Sequence, residues 1–223
     1  MSTSQMSTSQ TSTTQMSKMH TMDPRLFEQF RDIGRDIYLG GITSSHGGNM
    51  SVRVGNRIII KRRGGQLGRL KEEDFVETSL YRKDSGLLRA STELIVHREI
   101  YLQTSALAVI HCHPRTAIVL SMSRDEIVPI DNEGSYLLHK VPVIAVEYAS
   151  GSQEMADAIA GGLKQYKIVM LRGHGCFAVG QTLEEAFHWC STLEEVSDII
   201  LEAAILHEPF IEYRRNAEGY KKW

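Results

Sequence analysis

From residue 23 onward, apolar residues recur in two rhythms: every three or four positions over long stretches, and nearly continuously over short runs. The first is the period of a helix with one buried face, and the second marks a strand buried in a sheet. Leu26, Phe30, Ile33 and Ile37 keep the helical spacing between Asp23-Pro24 and Gly40-Gly41. Asp caps a helix start, Pro fits its first turn and Gly ends it. Residues 50–54 and 57–61 flank Gly55-Asn56, which predicts a two-residue hairpin. A short acidic helix is expected over 71–75, a strand over 76–81 and a turn over 83–86.

Ser91 can cap a helix over 92–103. Residues 106–110 read as a buried strand leading into His111-Cys112-His113-Pro114, with a helix over 115–122 beyond it. Short strands are expected at 128–130 and 141–146, a helix over 152–164 and a strand at 168–171. Thr182 and Glu185 form a capping-box pattern that opens a last long helix, with Leu183, Ala186, Cys190, Leu193 and Ile200 on its apolar stripe. Strands and helices mix without strict βαβ order. The pattern predicts a single α/β domain whose mainly antiparallel central sheet is covered by helices.

Residues 1–22 break both rhythms. Met1-Ser2-Thr3-Ser4-Gln5 recurs as residues 6–10 and more loosely as 11–15. Such a tract cannot bury enough apolar area to offset its ordering entropy, so a disordered tail is expected, with the folded domain over 23–223. With 223 residues, 42% of them hydrophobic and 23% charged, the chain can bury a substantial core. A net charge of −2 gives no reason to expect nucleic acid or an acidic membrane as partner. No apolar run reaches the roughly 20 residues that cross a bilayer. Cys112, Cys176 and Cys190 are too few and too scattered for a disulfide framework, and no signal peptide is apparent, so a cytoplasmic location is expected.

Candidate chemistry begins at 111–113. Alternate residues of a strand share a face, so His111 and His113 point one way and Cys112 the other. Two imidazoles on one face can chelate one metal ion. Pro114 ends the strand there, at the end where open α/β sheets bind ligands. A His-x-His pair alone is equally a pair of structural histidines. His174 adds a third imidazole, in Arg172-Gly173-His174-Gly175 after another apolar strand, where glycines permit a sharp turn and close approach. Three histidines with an open fourth position form one of the known catalytic zinc arrangements.

Glu93 has two readings, since acidic residues are favoured in a first helical turn whatever else they do. His97 lies one turn further along the same face and fits packing or support better than ligation. Gly47-Gly48-Asn49, Gly64-Gly65 and the Ser91-Thr92 backbone could each offer N–H groups to an anion, or simply be turns. Lys61-Arg62-Arg63 reads by default as a solvated strand end. His20, His46, His139, His188 and His207 show no ligand spacing.

Four motifs, taken in order, resemble the class II aldolase/adducin family, with its fuculose-phosphate aldolase branch nearest. They are Gly48-Asn49-x-Ser51-Val52-Arg53, Ser91-Thr92-Glu93 with His97 and Tyr101, His111-Cys112-His113, and Gly173-His174-Gly175. The resemblance implies a three-layer α/β/α fold and a C4 homotetramer with active sites at subunit interfaces. It implies that His111, His113 and His174 bind one catalytic zinc per chain, with Glu93 as the acid/base residue beside it. Gly48, Asn49, Gly64, Ser91 and Thr92 would hold the substrate phosphate. Arg63 stands where the branch usually has Thr, and would join them or mark a different anion.

The implied reaction splits a ketose or deoxyketose 1-phosphate, such as L-fuculose 1-phosphate, into dihydroxyacetone phosphate and an aldehyde. Zinc would act as the Lewis acid, Glu93 would move the proton and the phosphate would orient the reacting carbons. Methylthioribulose-1-phosphate dehydratase resembles the same motifs. A pentulose-phosphate 4-epimerase fits less well, because that branch carries Asp where this chain has Glu93. A non-catalytic adducin-like head lacks the full histidine set. Such aldolases take a tyrosine from a neighbouring subunit to protonate the leaving aldehyde oxygen. It would fall in 129–133, which has none, leaving Tyr136, Tyr213 or Tyr220.

Overall fold

Helix α1 (Pro24–Leu39) starts where its caps place it, with the Asp23 carboxylate accepting the Arg25 N–H at 3.0 Å. The hairpin of β1 (Asn49–Val54) and β2 (Arg57–Lys61) turns on Gly55, whose φ of 58° suits a residue without a side chain. A single 3-10 turn at Glu72–Asp74 stands for the short acidic helix and leads into β3 (Phe75–Ser79). There follow α2 (Leu94–Gln103), β4 (Ala108–Cys112), α3 (Arg115–Ser121), β5 (Glu126–Ile127) and α4 (Asn132–Leu137). The chain continues through β6 (Val141–Ile144), α5 (Gln153–Leu163), β7 (Ile168–Leu171), β8 (Gly175–Gly180) and α6 (Leu183–Leu206). This computed structural model describes residues 22–211. Residues 1–21 of the expected tail, and Tyr213 and Tyr220, lie outside the described residues.

The eight strands form one sheet in the order β3-β2-β1-β4-β8-β7-β6-β5. Every pairing is antiparallel except β6 with β7. Two apolar layers cover it. Phe30 and Ile37 of α1, Ala117 and Leu120 of α3, and Leu193 of α6 pack on one face against Ile110, Cys112, Met170 and Cys176. Ile100 of α2 and Ile159 of α5 pack on the other against Val109, Val169, Leu171 and Phe177. The expected three-layer α/β/α domain with a mainly antiparallel sheet is the one formed.

Three local expectations differ. β8 was not expected, because its apolar run over 176–179 is bounded by glycines, which favour turns. The strand expected at 128–130 is absent: pairing stops at Ile127, and Pro129 has no N–H to extend it. Asp131 then caps α4 by accepting the Gly134 N–H at 2.7 Å. Finally, α2 begins at Leu94, two residues later than expected, so Glu93 precedes the helix.

Candidate active site

β4 delivers the first two histidines. His111 faces the α2 layer, 1% exposed, with its ring stacked on Phe177 at 4.2 Å between centroids. His113 lies just past the strand, fixed by its N–H donating to the Ile42 carbonyl at 2.9 Å. His174 sits in the tight connection between β7 and β8, where Gly173 takes the left-handed φ of 69° that the turn requires. Gly175 serves close approach instead. A Cβ there would stand 2.6 Å from His113 Cδ2 and 3.0 Å from His111 Cε1.

The three imidazoles converge. Their ring centroids are 4.7, 5.0 and 5.3 Å apart, and one ligating nitrogen from each lies within 4.8 Å of the others. Nδ1–H of His111 donates to the Cys176 carbonyl at 2.9 Å, and Nδ1–H of His174 to the Ala149 carbonyl at 2.6 Å. Those bonds fix the tautomer that leaves each Nε2 with a lone pair. Burial, reinforced by the neighbouring imidazoles, pushes His111 and His113 down to about 3, so both are neutral and able to ligate.

Glu93 completes the cluster. It is 5% exposed, with Oε2 3.2 Å from His111 Nε2 and Oε1 3.5 Å from His174 Nε2. Asn49 Nδ2 donates to Oε2 at 2.8 Å. The first-turn reading of Glu93 therefore does not hold, since its carboxylate is held by partners far along the chain. A carboxylate facing imidazole lone pairs repels them unless a cation lies between. The donor set of three imidazoles and one carboxylate fits a divalent metal ion.

Beside this cluster opens a cavity of about 280 Å³, lined by all six residues expected at an anion site: Gly48, Asn49, Arg63, Gly64, Ser91 and Thr92. Gly48 is required on two counts, its φ of 71° and a Cβ position 2.7 Å from the His111 carbonyl. One expected amide is already engaged, because Ser91 N–H donates to the Lys61 carbonyl at 3.2 Å. Reading Lys61-Arg62-Arg63 as a solvated strand end is wrong for Lys61, which is 3% exposed and lines the cavity. Its stem packs on Gly65, and the 89–91 backbone pairs alongside 61–63. Arg62 is held by Asp74 at 2.7 Å with its side chain 39% exposed, and Arg63 is open to solvent.

His46 and Ser150 line the cavity as well, and sequence reasoning placed neither there. Nothing in their spacing marks them; only the folding of their loops does. His97 stays outside the cluster, buried beneath it, with Nδ1 2.7 Å from Ser51 Oγ. Tyr136 is 68% exposed on α4 and is not among the cavity-lining residues.

A mainly antiparallel sheet carrying a histidine cluster able to hold a metal ion, beside a cation-lined cavity, is the arrangement of a metal-dependent enzyme of small-molecule chemistry. Residues 28–201 match the family model for the class II aldolase and adducin N-terminal domain. The L-fuculose-1-phosphate aldolase of Thermus thermophilus superposes with a TM-score of 0.79 at 38% identity, covering 84% of this chain and 99% of that one. The L-fuculose phosphate aldolase of Methanocaldococcus jannaschii is 30% identical over 177 residues, 78% of this chain and 94% of the relative. A 5-methylthioribulose-1-phosphate/5-deoxyribulose-1-phosphate aldolase of Escherichia coli is 24% identical over 189 residues, 82% of this chain and 86% of the relative. The chain belongs to the class II aldolase and adducin family, among its metal-dependent aldolases.

Proposed function

We propose that this enzyme is a zinc-dependent aldolase cleaving a ketose or deoxyketose 1-phosphate, of the L-fuculose 1-phosphate kind, into dihydroxyacetone phosphate and an aldehyde. The observation that carries this reading is one site in which three imidazoles and the Glu93 carboxylate meet a cation-lined cavity. The Thermus and Methanocaldococcus relatives, both named for fuculose phosphate, supply the substrate class. The proposal includes one zinc ion per chain, held by His111, His113 and His174, and a homotetramer whose subunits adjoin at the active site.

A divalent ion held there supplies Lewis-acid stabilisation of the negative charge that develops as the C3–C4 bond breaks. Cleavage releases the C4 hydroxyl proton as the C3–C4 bond breaks, and Glu93 takes up one proton and delivers it to C3 to complete dihydroxyacetone phosphate; in the synthetic direction its carboxylate removes that C3 proton. Asn49 holds Glu93 in place through the 2.8 Å bond to Oε2. Gly48, Gly64, Ser91, Thr92 and Arg63 bind the phosphate, whose binding energy fixes the reacting carbons against Glu93.

The Escherichia coli relative favours a second substrate, 5-methylthioribulose or 5-deoxyribulose 1-phosphate. Incubation with L-fuculose, ribulose and methylthioribulose 1-phosphates, assayed for dihydroxyacetone phosphate, decides between them and also separates cleavage from dehydration. At least one should release dihydroxyacetone phosphate. Release from none contradicts the proposal.

A further inference from the structure

The Arg172-Gly173-His174-Gly175 motif leaves its first residue without a task. Its glycines let the backbone turn and approach closely, and for the same reason they leave the turn loose. Gly173 is exposed at its left-handed φ, and a Cβ there would meet nothing within 4 Å. The Ala149 carbonyl orients the His174 ring but not the backbone that carries it.

That backbone is held by α3. Ser121, the last residue of the helix, is wholly buried. Its hydroxyl accepts the Gly173 N–H at 2.9 Å and donates to the Ile118 carbonyl at 2.7 Å. The Arg172 guanidinium reaches the same helix end. Nη1 donates to the Ser121 carbonyl at 2.7 Å and the Arg124 carbonyl at 3.2 Å, and Nη2 to Asp125 Oδ1 at 2.6 Å. The other end of α3 starts two residues after His113, where the Glu194 carboxylate accepts the Thr116 and Ala117 N–H groups at 2.9 and 3.0 Å. One short helix therefore joins the segment carrying His113 to the turn carrying His174.

The Arg172 bonds are unequal. The Asp125 side chain is 96% exposed, and an exposed ion pair contributes little. The two carbonyls are part-buried acceptors for a charged donor, which makes them the stronger hold.

We infer that Arg172, with Ser121, is a positioning residue: it pins the His174 turn to α3 and so sets where the third imidazole meets the ion shared with His111 and His113. The inference rests on the three-histidine reading above. Its expected effect is opposite in sign to that of charge. Removing a cation two residues from a metal ligand should, by electrostatics alone, tighten the binding of a divalent ion. Removing a clamp should loosen it.

The test is zinc affinity, measured by chelator competition on the metal-stripped wild type, Arg172→Met, Ser121→Ala and Asp125→Ala. The melting temperature of each apoprotein is the control. Arg172→Met should bind zinc roughly 10- to 100-fold more weakly, the scale at which groups that orient a metal ligand act. Ser121→Ala, the milder change, should weaken binding less but in the same direction. Asp125→Ala should stay within about two-fold of wild type, because its pair is exposed. Arg172→Lys restores the charge without the planar fork and should recover only part of the affinity. With cobalt in place of zinc, the visible absorption of Arg172→Met should differ from wild type, since it follows the geometry of the ligands.

Wild-type zinc affinity in both Arg172→Met and Ser121→Ala would overturn the inference, even if both apoproteins melt lower. Tighter binding by Arg172→Met, or an equal loss in Asp125→Ala, would also overturn it. The readings fail separately. Zinc binding that survives His113→Ala overturns the three-histidine site and the clamp with it. Zinc lost in His113→Ala but indifferent to Arg172 and Ser121 overturns the clamp alone. A clamp that sets zinc affinity in a protein that cleaves no ketose 1-phosphate overturns the aldolase reading alone.

Discussion

Two triads of side chains of metal-ligating type gather on opposite faces of the sheet around β4 and β8. His111, His113 and His174 lie on one, and Cys112, Cys176 and Cys190 on the other. Both are close-packed: Cys112 Sγ lies 3.3 Å from Cys176 Sγ, which lies 3.9 Å from Cys190 Sγ. The thiols sit wholly inside the apolar layer under α6. Contact with the Cys176 thiol, together with burial, raises Cys112 above its ordinary range, so it keeps its proton and behaves as a small hydrophobe. The histidines open on a cavity and lie beside a carboxylate, and carbonyls fix the tautomers of His111 and His174. Clustering of ligand atoms does not make a site; access, protonation state and committed hydrogen bonds do.

That contrast can be broken first at His113. Replacing it with Ala should remove the ion and lower cleavage by at least ~10³-fold, the scale of losing a principal charge stabiliser. The chain should still fold, because His113 lies at a strand end and not in the apolar layers. Metal analysis and circular dichroism on one preparation check both halves. Full metal occupancy with full activity in His113→Ala contradicts the three-histidine site.

Acid should separate the layers next. His97 is fully buried, and burial lowers it to about 3 from an ordinary 6.5. The unfolded chain takes up that proton near pH 6.5 while the folded chain refuses it, so the stability from a neutral His97 is complete above 6.5. It is lost as pH falls toward 3. His111 and His113 act in the same direction in metal-stripped protein. At pH 5 each group should cost roughly 1–2 kcal/mol, read as a lower melting temperature than at pH 7.5. A melting temperature independent of pH over that range contradicts the buried, neutral histidines.

The smallest effect belongs to the thiol face. Cys190→Ala should cost about 1 kcal/mol of stability through the small void it leaves. Metal content and turnover should stay at wild-type levels. A drop in bound metal would make the thiol triad a second metal site and dissolve the contrast.

Much of the site was legible because its rules are local. Strand alternation placed His111 and Cys112 on opposite faces, and the glycines beside His174 announced a turn and a close approach. The helix caps at Asp23, Ser152 and Thr182 acted where they were read. What escaped depends on distant chain. Lys61 looks solvated until Gly65 packs on its stem and the 89–91 backbone pairs alongside 61–63. The Ala149 carbonyl that sets the His174 tautomer has no side-chain signature. β8 escaped because its apolar run, 176–179, lies between two glycines, the first of them already read as part of the His174 turn. Glu93 kept two readings because helix-start signals are good only to within a residue or two, and here that margin separates a dipole partner from a carboxylate aimed at the histidines.

The central claim is that Glu93 moves a proton beside a metal held by three histidines. It is tested most directly by measuring bound metal and the rate of aldol cleavage on the same preparation of Glu93→Gln, with thermal stability as control. Gln keeps the size and the polar contacts but neither the charge nor the basicity. Metal content should match wild type while turnover falls by roughly 10²–10⁴-fold, the usual scale of general acid–base catalysis. A rate within a few-fold of wild type, with metal retained, contradicts the claim.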